Sequence, residues 1–237
     1  MAETLLPEAE SRAAELQLPP VPPGRFVQCE GIPVRECGEP LVTVDDPDVE
    51  FLASYRSLGL RGAASTLRLR ATVVERLLAA VRSLPSGFSI AVFDGHRSME
   101  TVRHLRETAL EAAGDEAMIY TADPDSDEVI PPHAAGAAVD LTLRFDGEVL
   151  LLGSDFDDFS DRAHTVGAEF GELGCRHLRR LLYWAMTDQG FVNFPFEWWH
   201  YSYGDQEWAG LTGAPGAIYG LADPPPTSAS TGQEARS

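Results

Sequence analysis

The apolar residues in the first half of the chain recur with helical and strand periods. TLRLRATVVERLLAAVRSL (66–84) carries them on one helical stripe, and FSIAVF (88–93) is a continuous apolar run typical of a buried strand. Further helices are predicted over 98–113, which Ser98 would open, and over 172–190. The pattern therefore predicts helices packed beside at least one buried strand.

Further strand patterns lie in the second half. AAVDLTLRF (137–145) alternates as a strand does, and GEVLLLG (147–153) is predicted to pair with it as a hairpin around Asp146-Gly147. FEWWHYSYG (196–204) is predicted to be the last strand. Helices grouped with hairpin-like strands favour the α+β class, a single domain with a mainly antiparallel central sheet flanked by helices.

Both ends of the chain differ in composition from its middle. Residues 1–24 are acidic and then proline-rich, and residues 223–237 read DPPPTSASTGQEARS. Neither segment has the apolar side chains that would offset the entropy of ordering. We expect a flexible N-terminal tail over 1–24, one domain over 25–222 and a disordered C-terminal tail over 223–237.

The charged residues are strongly unbalanced. The 237 residues include 18 arginines, no lysine and 37 acidic residues, which gives a formal net charge of −19. Because broad binding to nucleic acid or to an anionic membrane depends on cationic side chains, we expect neither partner. The lack of lysine also excludes a Schiff-base lysine and a Walker A loop.

Several features favour a cytoplasmic location. No run approaches the roughly 18 apolar residues that a membrane helix needs, and the first residues, MAETLLPEAE, are acidic where a secretory signal would be basic. Cys29, Cys37 and Cys175 form neither an even disulfide framework nor a CxxC pair, so we interpret them as reduced thiols. An exported form without its leader stays open as an alternative.

Two segments carry residues typical of a metal site. His133 is followed seven residues later by Asp140, with glycine and alanines between them that let the backbone fold back, and Glu197 precedes His200 in EWWH. Catalytic zinc takes three nitrogen or oxygen ligands and leaves a fourth position for water, and His133, Asp140 and His200 would supply such a set. Glu197 is the candidate for a free carboxylate that acts as a base.

The spacing within the second segment sets a condition on the backbone. Residues three apart in a regular strand point to opposite faces, so Glu197 and His200 converge only if the chain turns or bulges there. Pro195 favours such an irregularity because it cannot donate to a strand ladder. Trp198 and Trp199 are interpreted as packing residues of the sheet.

Separate stretches of the chain resemble motifs of one enzyme family. PPHAAGAAVDLTL is similar to the S-x-H-x-x-G-x-A-x-D signature, and FEWWH to the E-x-x-H signature, of the D-alanyl-D-alanine dipeptidase (VanX-type) branch of the M15 zinc peptidases. FDGHRS (93–98) resembles the family's segment with a catalytic arginine, and GSDFDDFSDRAHT (153–165) a stretch downstream of the first motif. The resemblance extends over residues 40–210.

The resemblance implies an M15-like metallopeptidase domain over residues 25–222. It implies that His133, Asp140 and His200 bind one Zn²⁺, that Glu197 is the general base, and that Arg97 stabilises the tetrahedral intermediate. The implied activity is hydrolysis of a small dipeptide, first of all D-Ala-D-Ala from cell-wall metabolism. Two departures concern the substrate pocket: Pro131 stands where the signature has serine, and residues 53–65 lack an asparagine-phenylalanine element of that branch.

Other functions stay open at this point. An M15-type D,D-carboxypeptidase or peptidoglycan endopeptidase would use the same chemistry in an open cleft. Two histidines and one carboxylate are also the facial triad of non-haem Fe(II) oxygenases, with Fe²⁺ in place of zinc. The site could instead be a catalytically silent metal-binding module.

Two further sets of charged residues have alternative interpretations. Arg97 could belong to an ordinary surface ion pair. A solvated cluster of acids is expected downstream of the first motif, although two of its members are alternative ligands for a substrate ammonium group. The cluster comprises Asp155, Asp157, Asp158 and Asp161, and the two alternative ligands are Asp157 and Asp158.

Overall fold

The computed structural model describes residues 2–114, 118, 121–171 and 173–222. The predicted C-terminal tail, 223–237, lies outside these residues. The described helices are α1 (Ala2–Ala14), α2 (Ser54–Ser57), α3 (Ala71–Ser83), α4 (Met99–Ala113), α5 (Gly167–Phe170), α6 (Arg176–Thr187) and α7 (Gln206–Thr212). The described strands are β1 (Leu41–Thr43), β2 (Val49–Phe51), β3 (Arg68–Arg70), β4 (Phe88–Asp94), β5 (Ala138–Phe145), β6 (Glu148–Val149), β7 (Val192–Asn193) and β8 (His200–Ser202).

A mainly antiparallel sheet forms the centre of the fold. Its strands lie in the order β2-β4-β5-β8-β7, and β6 pairs with the C-terminal end of β5. β2 runs parallel to β4, whereas the other pairs are antiparallel. β1 and β3 form a separate antiparallel pair. The predicted α+β class with a mainly antiparallel sheet is confirmed.

The core lies around β4 and β5, which are almost wholly buried. Each of these two strands has one side chain that is partly exposed. Strands covered on both faces carry near-continuous apolar runs, which is why the sequence of β4 predicts a buried strand. α3 and α6 pack against each other, and their apolar faces join the same core.

The helix predictions differ from the structure mainly at their ends. The helix predicted over 66–84 begins only at Ala71, because residues 68–70 pair with β1 as strand β3. The helix predicted over 172–190 is α6, which occupies residues 176–187. Ser98 caps α4 as predicted, since its side chain accepts the N–H of Thr101. No helix within the described ranges combines the length and apolarity needed to span a bilayer.

The N-terminal segment differs from the tail predicted for residues 1–24. Residues 2–14 form α1, which packs against α6 and buries Ala9 and Ala13. The Glu10 carboxylate accepts the backbone N–H groups of His177 and Leu178 at 2.9 and 3.0 Å. Leu5 and Leu6 pack against the core beside these alanines, and a prediction from the acidic and proline-rich composition of residues 1–24 does not detect this face.

The last predicted strand, 196–204, is also shorter in the structure. β8 covers only residues 200–202, and residues 195–199 turn instead. The N–H of Glu197 donates to the Phe194 carbonyl, and the N–H of His200 donates to the Glu197 carbonyl. The proline at 195 lies within this turn, so the irregularity required for Glu197 and His200 to converge is present.

The described cysteines form no disulfide. Burial raises the pKa of the Cys29 thiol to about 12 and that of the Cys175 thiol to about 11. Because the thiolate is the reactive form, both positions disfavour thiol chemistry. Cys37 is exposed.

Candidate active site

Three neighbouring strands place polar side chains side by side at one end of the sheet. Asp140 on β5 is the cross-strand partner of Asp94 on β4 and of His200 on β8. The register shifts between Val92 and Asp94, so β4 carries an irregularity at this point. Cross-strand partners lie about 5 Å apart at their Cβ atoms, which brings these three side chains within reach of one another.

A tight turn brings His133 to the same place. The turn spans residues 132–136, and the N–H of Gly136 donates to the His133 carbonyl. Gly136 has a φ of 69°, and a Cβ atom there would lie 2.4 Å from a methyl group of Leu41. Glycine therefore meets two requirements at this position, the left-handed backbone and the close approach of β1. The Nδ1 atom of His133 lies 2.8 Å from the Gly95 carbonyl, which leaves Nε2 facing the other polar side chains.

His133, Asp140 and His200 form a compact buried cluster. One possible ligand atom from each lies within 4.8 Å of the other two. The His133 Nε2 atom is 3.2 Å from Asp140 Oδ2, and the His200 Nδ1 atom is 2.9 Å from Asp140 Oδ1. Two imidazole nitrogens and one carboxylate are a donor set that suits zinc and other divalent transition metals. The residues fit the metal site that their sequence spacing predicts.

The protonation states of Asp140 and His133 suit cation binding. Burial alone would raise the pKa of Asp140, but His133, His200 and Arg97 hold that pKa well below its usual range. Burial lowers the pKa of His133, which keeps its ring neutral. A charged carboxylate beside a neutral imidazole is the form in which both groups bind a metal ion. Burial alone would lower the pKa of His200, but its hydrogen bond to Asp140 raises that pKa to about 9, so a metal ion would have to displace a proton from this ring.

Glu197 lies at the edge of the cluster without joining it. Its Oε2 atom is 3.8 Å from His200 Nδ1, and its side chain is buried. Burial and the nearby carboxylates of Asp140 and Asp157 raise the pKa of Glu197 to about 8. A carboxyl group with a raised pKa in a cleft is suited to accepting and returning a proton.

Arg97 is fixed by two carboxylates of the same sheet. Its Nε atom donates to Asp94 at 2.5 Å, and one terminal nitrogen donates to Asp140 at 2.7 Å. The Arg97 guanidinium also stacks over the Tyr55 ring, 4.9 Å from its centroid. Both carboxylates are buried, so the surface ion pair considered for Arg97 is wrong. All five residues singled out by the motifs therefore meet around one point.

Two members of this arrangement were not identified as site residues from the sequence. Asp94 holds Arg97, and its place three residues before Arg97 in FDGHRS is the sequence signal that could have identified it. Tyr55 lies two residues after Ala53, a non-glycine residue with a φ of 49°. Nothing in the local sequence of Tyr55 indicates its contact with Arg97.

Some of the acidic residues downstream of His133 are exposed to solvent, and one of them lies at the site. Asp155 and Asp161 are exposed, as a solvated cluster requires. Asp157 instead lines the cavity and accepts a hydrogen bond from the Tyr55 hydroxyl at 3.1 Å. Burial raises the pKa of Asp157 to about 6.

A cavity of about 430 Å³ opens beside the cluster. Helix α4 forms one wall and the prolines at 131 and 132 another, while Phe159 and Phe194 add aromatic surface. Trp198 and Trp199 are not among the lining residues; each is 1% exposed and packs in the core, as predicted. The cavity is therefore a cleft with polar groups at the metal cluster and apolar surface farther along.

The comparisons with known proteins agree with these features. Residues 60–213 match the model of the M15 peptidase family described as D-Ala-D-Ala dipeptidase. A D-alanyl-D-alanine dipeptidase of Synechocystis sp. (strain ATCC 27184 / PCC 6803 / Kazusa) is 31% identical over 219 residues, which cover 75% of this chain and 87% of the relative. The D-alanyl-D-alanine dipeptidase of Escherichia coli (strain K12) is 31% identical over 122 residues, or 49% of this chain and 55% of the relative.

Among solved structures, the LdcB LD-carboxypeptidase aligns over 74% of this chain and 72% of its own, with a TM-score of 0.41 and 19% identity. The family model covers more than half of the chain, and the Synechocystis relative is matched over most of its length. The chain therefore belongs to the D-Ala-D-Ala dipeptidase family of M15 metallopeptidases and is a hydrolase.

Proposed function

We propose that this enzyme is a zinc dipeptidase that hydrolyses a small dipeptide, first of all D-Ala-D-Ala. The observation that carries the proposal is the buried cluster of His133, Asp140 and His200, with the Glu197 carboxyl and the Arg97 guanidinium beside it. When bound, zinc would supply Lewis-acid activation of water and of the peptide carbonyl. The names of the family relatives motivate the choice of D-Ala-D-Ala.

Glu197 is proposed as the general base. It would take a proton from the attacking water and deliver that proton to the amine of the leaving residue. Its burial and its position 3.8 Å from His200 support this role, because a base must lie next to the reacting atoms without being held as a ligand.

Arg97 is proposed to stabilise the negative charge that develops on the carbonyl oxygen. Its bonds to Asp94 and Asp140 fix the guanidinium before substrate arrives, so little reorganisation is needed during the reaction. Fixed donors of this kind lower a barrier by about 3 kcal/mol each.

Asp157 is proposed to bind the ammonium group of the substrate. It lines the cavity and accepts one hydrogen bond, from Tyr55, so its carboxylate retains acceptor capacity. A dipeptide carries a free ammonium group close to the scissile bond, which a carboxylate at this position would orient.

The experiment that tests the proposal combines metal analysis with amine release from D,D-, L,D- and L,L-dipeptides. We expect zinc in the purified protein and turnover of D-Ala-D-Ala. Glu197→Ala should retain the metal and lose turnover by about 10²–10⁴-fold. Full activity of that variant in a metal-replete assay would overturn the assignment of the base.

The same experiment separates the remaining alternatives. Iron in place of zinc, with no hydrolysis of any dipeptide, would favour the Fe(II) oxygenase. Release of a terminal D-Ala from longer peptides, with dipeptides left intact, would favour the carboxypeptidase or endopeptidase. A cytoplasmic location stays a prediction from the sequence.

A further inference from the structure

The roles proposed so far leave one charged group of a dipeptide without a partner. Asp157 would bind the ammonium group and Arg97 the carbonyl oxygen, but the carboxylate of the leaving residue also enters the cavity. Burying a carboxylate without a hydrogen-bond donor is costly. If the enzyme is the proposed dipeptidase, the cavity wall must therefore supply a donor for this carboxylate.

The proline wall offers no backbone donor. Pro131 and Pro132 lack an N–H group, and both line the cavity. The two preceding N–H groups are already used: that of Ile130 donates to Gln206 at 2.8 Å and that of Val129 to Ser126 at 3.0 Å. This stretch cannot bind a carboxylate through its main chain.

Arg97 is committed to the carboxylates around it. Its Nε atom and one terminal nitrogen already donate to Asp94 and Asp140, and its backbone N–H donates to the His133 carbonyl. These bonds aim the side chain at the metal cluster. A second negative group from the substrate therefore calls for a second cation.

Arg106 is that second cation. Among the lining side chains that the structure describes, Arg97 and Arg106 are the guanidinium groups. One terminal nitrogen of Arg106 donates to the Thr121 carbonyl at 3.0 Å, and the other is 3.9 Å from Asp123, a distance too long for a hydrogen bond. The Arg106 side chain is only 19% exposed, so its charge faces the cavity and its walls more than bulk water.

Helix α4 places Arg106 on the wall of the same cavity that Arg97 lines. Arg97 lies just before the first residue of this helix, and the side chains of a helix lean toward its N-terminus. Val102 and Leu105, which lie on the same helix, line the cavity on that side of Arg106. They lie between Arg97 and Arg106 along the chain and give this wall an apolar surface, against which the side chain of the leaving residue would pack.

We propose that Arg106 binds the carboxylate of the leaving residue and so makes the enzyme selective for dipeptides with a free C-terminus. The guanidinium would form a charge-assisted hydrogen bond, or a bidentate pair, with that carboxylate. Arg106 then determines specificity through substrate binding, whereas Glu197 and Arg97 act on the scissile bond.

The test compares D-Ala-D-Ala with its C-terminal amide in the wild type and in Arg106→Gln. We expect the substitution to lower kcat/KM for the free dipeptide by about 10–100-fold, chiefly through KM, and to change kcat/KM for the amide less than about threefold. Arg106→Lys keeps the charge and should recover part of the loss.

Arg103→Gln is the matched control. Arg103 lies on the same helix, is 53% exposed, and approaches Asp125 at 3.8 Å without lining the cavity. We expect this variant to treat both substrates as the wild type does, and all variants to keep the wild-type metal content.

The outcomes separate the two proposals. Cleavage of D-Ala-D-Ala by the wild type, with equal losses on acid and amide in Arg106→Gln, would overturn the role of Arg106 and leave the dipeptidase standing. It would mean that Arg106 only anchors the Thr121 carbonyl. Cleavage of neither substrate by the metal-loaded wild type would overturn the dipeptidase and this inference together.

Discussion

At the scale of single residues, Asp157 is a carboxyl group held where its ionised form is disfavoured. Its pKa in the folded chain is raised to about 6, chiefly by burial, whereas an unfolded chain has a value near 3.8. The native state therefore binds more protons than the unfolded state between pH 4 and 6, and the free energy of unfolding falls as pH rises through that window. Burial of the ionised Asp157 carboxylate therefore still lowers the free energy of unfolding at neutral pH.

Replacing this carboxyl group by a neutral amide of the same shape should raise stability and lower activity. Asp157→Asn is expected to raise the free energy of unfolding at pH 7 by about 1–2 kcal/mol, after allowance for partial exposure, and to remove the contribution of Asp157 to its fall between pH 4 and 6. The same variant should lower kcat/KM because the ammonium loses its partner. Urea unfolding of chelator-treated protein, with dipeptide kinetics on metal-loaded protein, measures both effects.

Asp158→Asn is the neighbouring control for that pair of measurements. Asp158 does not line the cavity, and its carboxylate accepts the N–H of Ser160 at 2.8 Å. We expect little change in kcat/KM and no gain in stability. A loss of stability at pH 7 in Asp157→Asn would contradict the argument from burial.

At the scale of elements, α1 supplies the cap that α6 lacks. The side chain of the N-cap residue of α6, Cys175, caps none of the backbone N–H groups of the helix. Glu10, which lies on α1, supplies the cap instead, because its two carboxylate oxygens accept the N–H groups of His177 and Leu178. A carboxylate at this end also interacts favourably with the helix dipole.

Glu10→Ala should therefore destabilise the whole domain although it lies far along the chain from α6. We expect the free energy of unfolding to fall by about 1–2 kcal/mol, the range measured for removal of helix caps. Thermal or urea unfolding provides the measurement, and Glu8→Ala, an exposed position on the same helix, is the control. Equal stability of the two variants would show that α1 does not cap α6.

Local sequence patterns predict the helices and strands of this fold better than they predict the contacts between these elements. β4, β5 and the N-terminus of α4 follow from apolar runs and a serine cap, which depend on neighbouring residues only. The pairing of Asp140 with His200 joins residues 60 positions apart, and the sequence suggests it through the types of the ligands and the family motifs, not through a local periodic pattern. Tyr55 is a single aromatic residue without a periodic signal, and the packing face of α1 is outweighed by the acidic and proline-rich composition of residues 1–24.

At the scale of the whole molecule, the three proposed metal ligands tie separate parts of the fold to one point. His133 comes from the turn before β5, Asp140 from β5 itself and His200 from β8. An ion that binds all three can do so only in the folded chain, so its binding free energy adds to the free energy of unfolding. The cluster links the occupancy of the site to global stability.

Zinc should therefore raise the melting temperature of the chelator-treated protein. At a free concentration about 100 times Kd, the gain is about 2.7 kcal/mol, or about 5–10 °C for a chain of this size. His200→Ala should abolish the shift, whereas Glu197→Ala should retain it because Glu197 is proposed as a base and not as a ligand. Magnesium, which prefers six oxygen ligands, should give no comparable shift in any of these proteins. An undiminished zinc shift in His200→Ala would mean that zinc binds the folded chain elsewhere, and the proposed ligand set would have to be abandoned.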